Sequence, residues 1–290
     1  MALPRNTTPV LLSVGVPLAV TLWAYWSALD GIVERWATDP QYSHGFLVPV
    51  FSVYLLWTRR DRITAADVRP RWWGVLVVVL GGGVRMAGQV FYQPWLDEVS
   101  LLIVLAGLIA VAGGRELLAW AAPAVLFLAF MIPLPYGAQT LLGGRLQATA
   151  TAASTYALQT FGVPAVAEGN VILLTDARLG VVEACSGLTM LVTFFALSVG
   201  VAFLVRRSWP EKVILVAAAA PIAVVANVVR ITLTGLLFEA NRGDLARAVF
   251  HDLAGWLMMP VGLTLLLTVL CVLSRAVVPA GRAAPATTAG

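Results

Sequence analysis

Residues 212–238 read KVILVAAAAPIAVVANVVRITLTGLLF, an apolar run that opens on Lys212 and has one charged residue, Arg230, in its interior. A membrane-crossing helix needs roughly 20 mostly apolar residues, and this stretch supplies them. The run departs from its own pattern once. An arginine at that depth is costly and defaults to a functional reading. Asn227 lies three residues before it and Thr234 four after, so the three share one helix face. Comparable apolar runs occupy residues 10–29, 45–58, 72–91, 99–113, 116–132, 185–205 and 254–273. Arg230 is read as the only basic residue inside any of these spans.

The whole chain carries the same signature. Its 290 residues are 60% hydrophobic and 12% charged, with a mean hydropathy of +0.87. A soluble domain averages about 25% charged residues. The expected fold is an all-α polytopic membrane protein with about eight transmembrane helices. A single integral-membrane domain is expected over residues 1–276, followed by a disordered tail at 277–290 rich in Ala, Pro and Thr. The first run is longer than a signal-peptide core, and no small-residue cleavage pattern follows it. It is read as a retained span. The net charge of +4 is scattered, so nucleic acid is not an expected partner; lipid is.

Loop charges orient the chain. One set of loops holds twelve basic residues, among them Arg5, Arg59, Arg60, Arg62, Arg69, Arg71, Arg115, Arg206, Arg207 and Lys212. The opposite set holds six: Arg35, Arg85, Arg145, Arg178, Arg242 and Arg247. The richer set is expected inside, which puts both termini in the cytoplasm. Segment 133–183 then faces outward. Gln139 to Thr160 is expected to form an amphipathic helix lying at the interface. Ala165–Leu174 and Leu179–Ala184 flank Thr175-Asp176-Ala177-Arg178 and read as a short hairpin before the sixth helix. Open strand edges cannot face lipid, so the hairpin must sit above the bilayer or pack on protein.

That segment leads into Cys185, at the outer start of a helix on this topology. A helix N-terminus offers unpaired N–H groups and partial positive charge. Both favour the thiolate, the nucleophilic form. The N–H groups of Ser186 and Gly187 are candidates to receive an oxyanion. Cys271 falls near the cytoplasmic end of the last span and is read as packing. Two cysteines so placed give neither a disulfide framework nor a zinc site. The two histidines, His44 and His251, both precede spans at the outer face, and either suits general acid–base work near neutral pH. Bland readings stand beside these: a packed thiol, an arginine reaching toward headgroups, histidines as interfacial anchors or caps. Taken together, a thiol, an arginine and a histidine from three helices at one level are an inventory for acyl transfer through a thiol. There is no phosphate-binding Gly-rich loop, no His-Glu-x-x-His helix and no Gly-x-Ser-x-Gly elbow. No cofactor and no metal are expected.

Several blocks then resemble one family. They are Glu183-Ala184-Cys185-Ser186-Gly187-Leu188, Asn227-Val228-Val229-Arg230-Ile231 and His251-Asp252-Leu253-Ala254-Gly255-Trp256. Tyr42-Ser43-His44-Gly45 with Pro49, and Ile132-Pro133-Leu134-Pro135, join them. In this order the set is similar to the exosortase/archaeosortase family of polytopic membrane transpeptidases, and His251 fits its bacterial branch. The resemblance implies a cysteine enzyme of the bacterial cytoplasmic membrane with its active site on the outer face. Its substrates would end in a sorting signal of PEP-CTERM type: a short motif, a transmembrane helix and a basic cluster. Cleavage would pass through an acyl-thioester on Cys185, and the new carboxyl end would go to an extracytoplasmic acceptor. Catalytic roles fall on Cys185, Arg230 and His251, with His44, Asn227 and Ser186 in support. Bacterial members are linked to exopolysaccharide loci, and no fused accessory domain is expected here. The residues alone also admit a transporter or assembly factor for surface polysaccharide, in which Arg230 and the histidines bind an anionic substrate. A membrane lipid acyltransferase is a third reading.

Overall fold

A computed structural model describes residues 8–64, 68–175, 177–181, 187–240, 242–243, 245 and 253–276. Helices dominate, and contacts divide the chain into two compact units, residues 1–145 and 146–290.

The first unit begins with α1 (Thr8–Ala24) and α2 (Trp26–Thr38), which meet at a 66° bend. A 3-10 turn, Pro40–Phe46, leads into α3 (Leu47–Thr58). Then come α4 (Trp73–Val90) and α5 (Pro94–Phe127). Glycine lets α4 and α5 touch along their backbones. Gly74, Gly81 and Gly88 recur every seven residues on the buried face of α4. A Cβ at Gly74 would lie 2.5 Å from the backbone N of Val111, and one at Gly81 2.6 Å from Val104 Cγ2. Small residues serve this purpose in lipid, where apolar side chains gain nothing by leaving their solvent and close packing must hold helices together. The opposite face of α4 is apolar and exposed, with Val75, Leu76, Val79 and Leu80.

Helix α5 is not one straight rod. Gly114 adopts φ 72° and ψ −158° within it. A straight helix would separate Glu98 from Met131 by on the order of 50 Å. Yet Arg35 pairs with Glu98, and the Trp36 indole N–H donates to the Met131 carbonyl at 3.0 Å. Neighbouring residues of α2 therefore hold both ends of the segment, which doubles back at Gly114. On the return arm Trp120 donates to the Arg59 carbonyl at 2.7 Å, and Phe127 stacks on Phe51 with centroids 4.6 Å apart. The runs at 99–113 and 116–132 are thus the two arms of one reversal.

In the second unit, α6 (Tyr136–Thr160) contributes its C-terminal part, followed by a three-stranded antiparallel sheet. Its strands are β1 (Val166–Glu168), β2 (Val171–Leu173) and β3 (Arg178–Gly180), in that order. The expected hairpin is therefore a meander. Its first run splits at Gly169, φ 58°, which lets Val166 pair with Leu173. Ile172, Leu179 and Val181 pack with Leu158 and Ile231, so the sheet rests on α6 and α9. The face of α6 holding Ala150, Thr151, Ser154, Thr155 and Leu158 is buried against protein. After the sheet come α7 (Leu188–Leu204), α8 (Trp209–Ala217), α9 (Ala219–Glu239) and α10 (Leu253–Ala276). They enclose a core of Met190, Phe194, Leu215, Ile222 and Leu266. Gly262 of α10 makes room for the Phe194 ring.

Eight spans are expected from the apolar runs. Among the described residues, three helical stretches have the length and apolarity of a crossing: Trp73–Val90, Pro94–Met131 and Trp209–Glu239. The bent pair α1–α2 makes a fourth if it is one span. Leu188–Leu204 and Pro260–Arg275 are apolar but shorter. The chain is an all-α protein of membrane type.

The α4–α5 contact is directly testable. Gly74→Ala forces a backbone to move and should cost about 1–3 kcal/mol of stability. Gly82→Ala meets nothing within 4 Å and should leave stability unchanged or slightly raised. Thermal unfolding in detergent measures both.

Candidate active site

Arg230 lies on the buried face of α9, only 6% exposed. Its Nη2 donates to Asn227 Oδ1 at 2.6 Å, and its carbonyl accepts from Thr234 Oγ1 at 2.9 Å. Asn227 is 1% exposed and Thr234 is fully buried. The face expected from the sequence spacing is thus the interior face of the helix, and one turn of α9 orients the guanidinium. Ser154 of α6 adds a long hydrogen bond to the Val228 carbonyl, 3.5 Å.

Gly187 caps the start of α7 with φ 81°. A Cβ there would come within 3.0 Å of Asn227 Nδ2. The position therefore excludes side chains twice, by its left-handed backbone and by the amide beside it. Gly187 and Asn227 share a crevice with Leu146, Ala150, Ala223 and Val224 that is too narrow for water. The block ending at Gly187 and the block holding Arg230 consequently abut. The segment that enters this turn is tethered too. Val181 N donates to the Asn170 carbonyl at 2.8 Å, and Gln147 donates to the Val181 carbonyl. Cys185, Ser186 and His251 lie outside the described residues. So does Asp252, while Leu253 to Trp256 form the first turn of α10.

His44 belongs to the first unit, in the turn Pro40–Phe46. Gly45 beside it lies under the Trp36 indole, which a Cβ would strike. A backbone hydrogen bond links Tyr42 to Leu134. The Tyr42-Ser43-His44-Gly45 block and the Ile132-Pro133-Leu134-Pro135 block are therefore neighbours. The two ring nitrogens of His44 are buried without a well-formed hydrogen bond. Burial lowers its pKa, against a smaller opposing pull from the backbone of Phe130 and Gln41.

The sequence reading missed one constellation. Arg85 is inside α4, so Arg230 is not the only basic residue in a span. Arg85 Nε meets Asp97 Oδ1 at 3.1 Å, its Nη2 donates to the Ala24 carbonyl at 2.5 Å, and it covers the Tyr25 ring at 4.2 Å. Gln89 donates to the other Asp97 oxygen at 3.0 Å, and Glu98 beside it takes Arg35. The local signal was an arginine in the apolar run 72–91 together with the acidic pair Asp97-Glu98, seven-residue glycine spacing setting the two helices face to face. Among the described residues no cluster of His, Cys, Asp or Glu has metal-ligand geometry.

The arrangement is a buried, oriented cation beside a helix entry that only glycine fits. A family model described as transmembrane exosortase matches residues 36–268. The chain belongs to the transmembrane exosortase family. Exosortases are multi-pass membrane sorting enzymes of the cysteine transpeptidase type. The match spans every block quoted above, from Tyr42 to Trp256. No curated protein and no solved structure matches the chain.

Two outcomes follow from this geometry. Asn227→Leu removes an acceptor from a buried cation and should cost about 2–3 kcal/mol, whereas Asn227→Asp keeps an acceptor and should lose less. For His44, the ordinary pKa is 6.5 and the folded value is lower. The unfolded chain then binds this proton more readily, so stability is full above about pH 6.5 and falls as pH drops toward the lowered value. His44→Gln should flatten the loss of melting temperature between pH 7 and 5.

Proposed function

We propose that this chain is a membrane cysteine transpeptidase that cleaves the C-terminal sorting signal of exported proteins through an acyl-thioester on Cys185. The observation that carries the reading is the contact between the Gly187 turn and Asn227, which holds Arg230. Cys185 is two residues from Gly187, so chain length keeps the two within about 7 Å. A nucleophile on that tether has a buried guanidinium within reach.

The reaction runs in two halves. His251 takes the Cys185 thiol proton, the thiolate attacks the scissile carbonyl near the substrate's motif, and the carbonyl oxygen becomes an oxyanion. Arg230, fixed by Asn227, supplies positive charge to the thiolate or to that oxyanion. The Asn227 amide oxygen orients the guanidinium. The tetrahedral species collapses, the C–N bond breaks, and His251 protonates the leaving amine. An acceptor nucleophile then attacks the thioester, gives up its proton to His251 and releases the thiolate. Ser186 contributes an N–H at the oxyanion. Eight spans with both termini in the cytoplasm would set this chemistry on the outer face of a bacterial cytoplasmic membrane. The substrate's own helix would enter from the bilayer.

Cys185→Ala should abolish processing of a co-expressed reporter that ends in motif, helix and basic cluster. The variant should remain in the membrane fraction, and the wild-type chain should yield a substrate adduct on Cys185 by intact mass. Normal processing by Cys185→Ala would falsify the proposal. A lipid acyl adduct in place of a peptide would point to acyltransfer instead.

A further inference from the structure

The reversal of α5 leaves a basic recess of about 310 Å³ lined by Arg69, Arg71, Gly113, Arg115 and Glu116. Arg69 and Arg71 come from the segment entering α4, and Arg115 from the first residue after Gly114. The walls are tied together: Arg69 N donates to the Gly113 carbonyl at 3.2 Å. Any Cβ at Gly114 would strike the Arg69 carbonyl. The three arginines are thus brought together by the same glycine that turns the chain. Among the described residues none of them makes an ion pair; the pairs formed at this end are those of Arg60 with Asp61. Three arginines against Glu116 leave the lining with a charge of +2. The return arm of α5 also starts here, and its first N–H groups lack carbonyl partners within the arm.

Two further observations fix the kind of ligand. The exposed apolar face of α4 starts at this recess and runs away from it through Trp72, Val75, Leu76, Val79 and Leu80, each at least half exposed. Trp72 stands at the border and Trp57 is exposed at the same end of α3, as aromatic residues do at headgroup level. A molecule that satisfies both features is anionic at one end and apolar along its length.

We propose that this recess binds the headgroup of an anionic phospholipid, its phosphodiester on Arg69, Arg71 and Arg115 and its acyl chains along α4. Glu116 narrows the class: exposed at the recess, its carboxylate repels a bare phosphate and can accept from hydroxyls, so a headgroup that joins its phosphate to hydroxyls, as glycerol does, fits better than phosphate alone. Bidentate guanidinium–phosphate pairing gives arginine its advantage over lysine here.

The test uses the full chain purified in detergent after exposure to vesicles of equal phosphatidylglycerol and phosphatidylethanolamine, with retained lipid counted by native mass spectrometry. The wild type should retain phosphatidylglycerol preferentially. An arginine near the headgroups is worth roughly fivefold in binding, so Arg71→Gln alone should reduce the preference about fivefold. Arg69→Gln/Arg71→Gln/Arg115→Gln should abolish it. Arg60→Gln, at the same end but outside the recess, should leave it intact. Equal preference in wild type and Arg71→Gln overturns the site. Loss of bound phosphatidylglycerol on adding millimolar inorganic phosphate, with phosphate adducts in its place, overturns the lipid assignment in favour of a soluble phosphate.

Discussion

Water is absent where most of this chain's helices would lie, and every polar group there must find its partner within the protein. The first unit meets this constraint with carboxylates. Arg85 and Gln89 share Asp97, and Arg35 takes Glu98. A lone ion in such a place is prohibitive, and even a pair gains little over apolar packing. What the pairs add is register. Asp97 and Glu98 are adjacent on α5, yet they answer to different elements, α4 and α2. Sliding any of the three helices by one turn would strand an arginine or an acid. Polar satisfaction thereby fixes what nonspecific packing of Val, Leu and Ala cannot.

Hydroxyl side chains meet the same demand more cheaply. Thr21 returns a hydrogen bond to Pro17, and Thr264 to Pro260. Each closes one turn of helix around a proline. Charged ends are treated differently: α8 opens with a capping box in which Ser208 and Glu211 serve each other. In the second unit Arg230 is buried on a face of α9 that also borders the turn into α7. Asn227 serves the arginine with its oxygen and meets the Gly187 turn with its nitrogen, so one side chain couples the orientation of the guanidinium to the path of the backbone.

Much of this was legible in residue order because the relevant contacts are local. Asn227, Arg230 and Thr234 share a face by helical spacing alone, and that spacing survives any tertiary arrangement. The break between residues 113 and 116 was likewise visible as Gly113-Gly114-Arg115. Its consequence, a full reversal, needed α2 to show where both arms return. The meander had a readable second turn at Thr175 to Arg178 and an overlooked first one at Gly169, because the run around it is apolar enough to pass for one strand. The burial of one face of α6 against protein was hidden for a related reason. Small polar residues such as Thr151, Ser154 and Thr155 look solvent-facing in sequence, yet they suit a tight helix contact: the Thr151 and Thr155 hydroxyls bond back into the helix, and Ser154 reaches the Val228 carbonyl of α9. Arg85 reads as a loop charge as long as its run is taken alone; its partner Asp97, twelve residues on, lies on the next helix, and only the glycine spacing links the two.

Glycine carries a second share of that long-range information. Gly45, Gly74, Gly187 and Gly262 each sit where another residue's ring, backbone or amide already occupies the space of a Cβ. In a soluble protein a glycine inside a helix mostly costs backbone entropy. Here the loss is offset by contact, because lipid gives helices no hydrophobic reason to associate and only close approach gathers enough dispersion to hold them. Gly187 differs from the others in needing its positive φ as well as its missing side chain. A position held by two independent requirements admits only glycine, so the backbone's path into α7 is set jointly by its left-handed turn and by the Asn227 amide beside it.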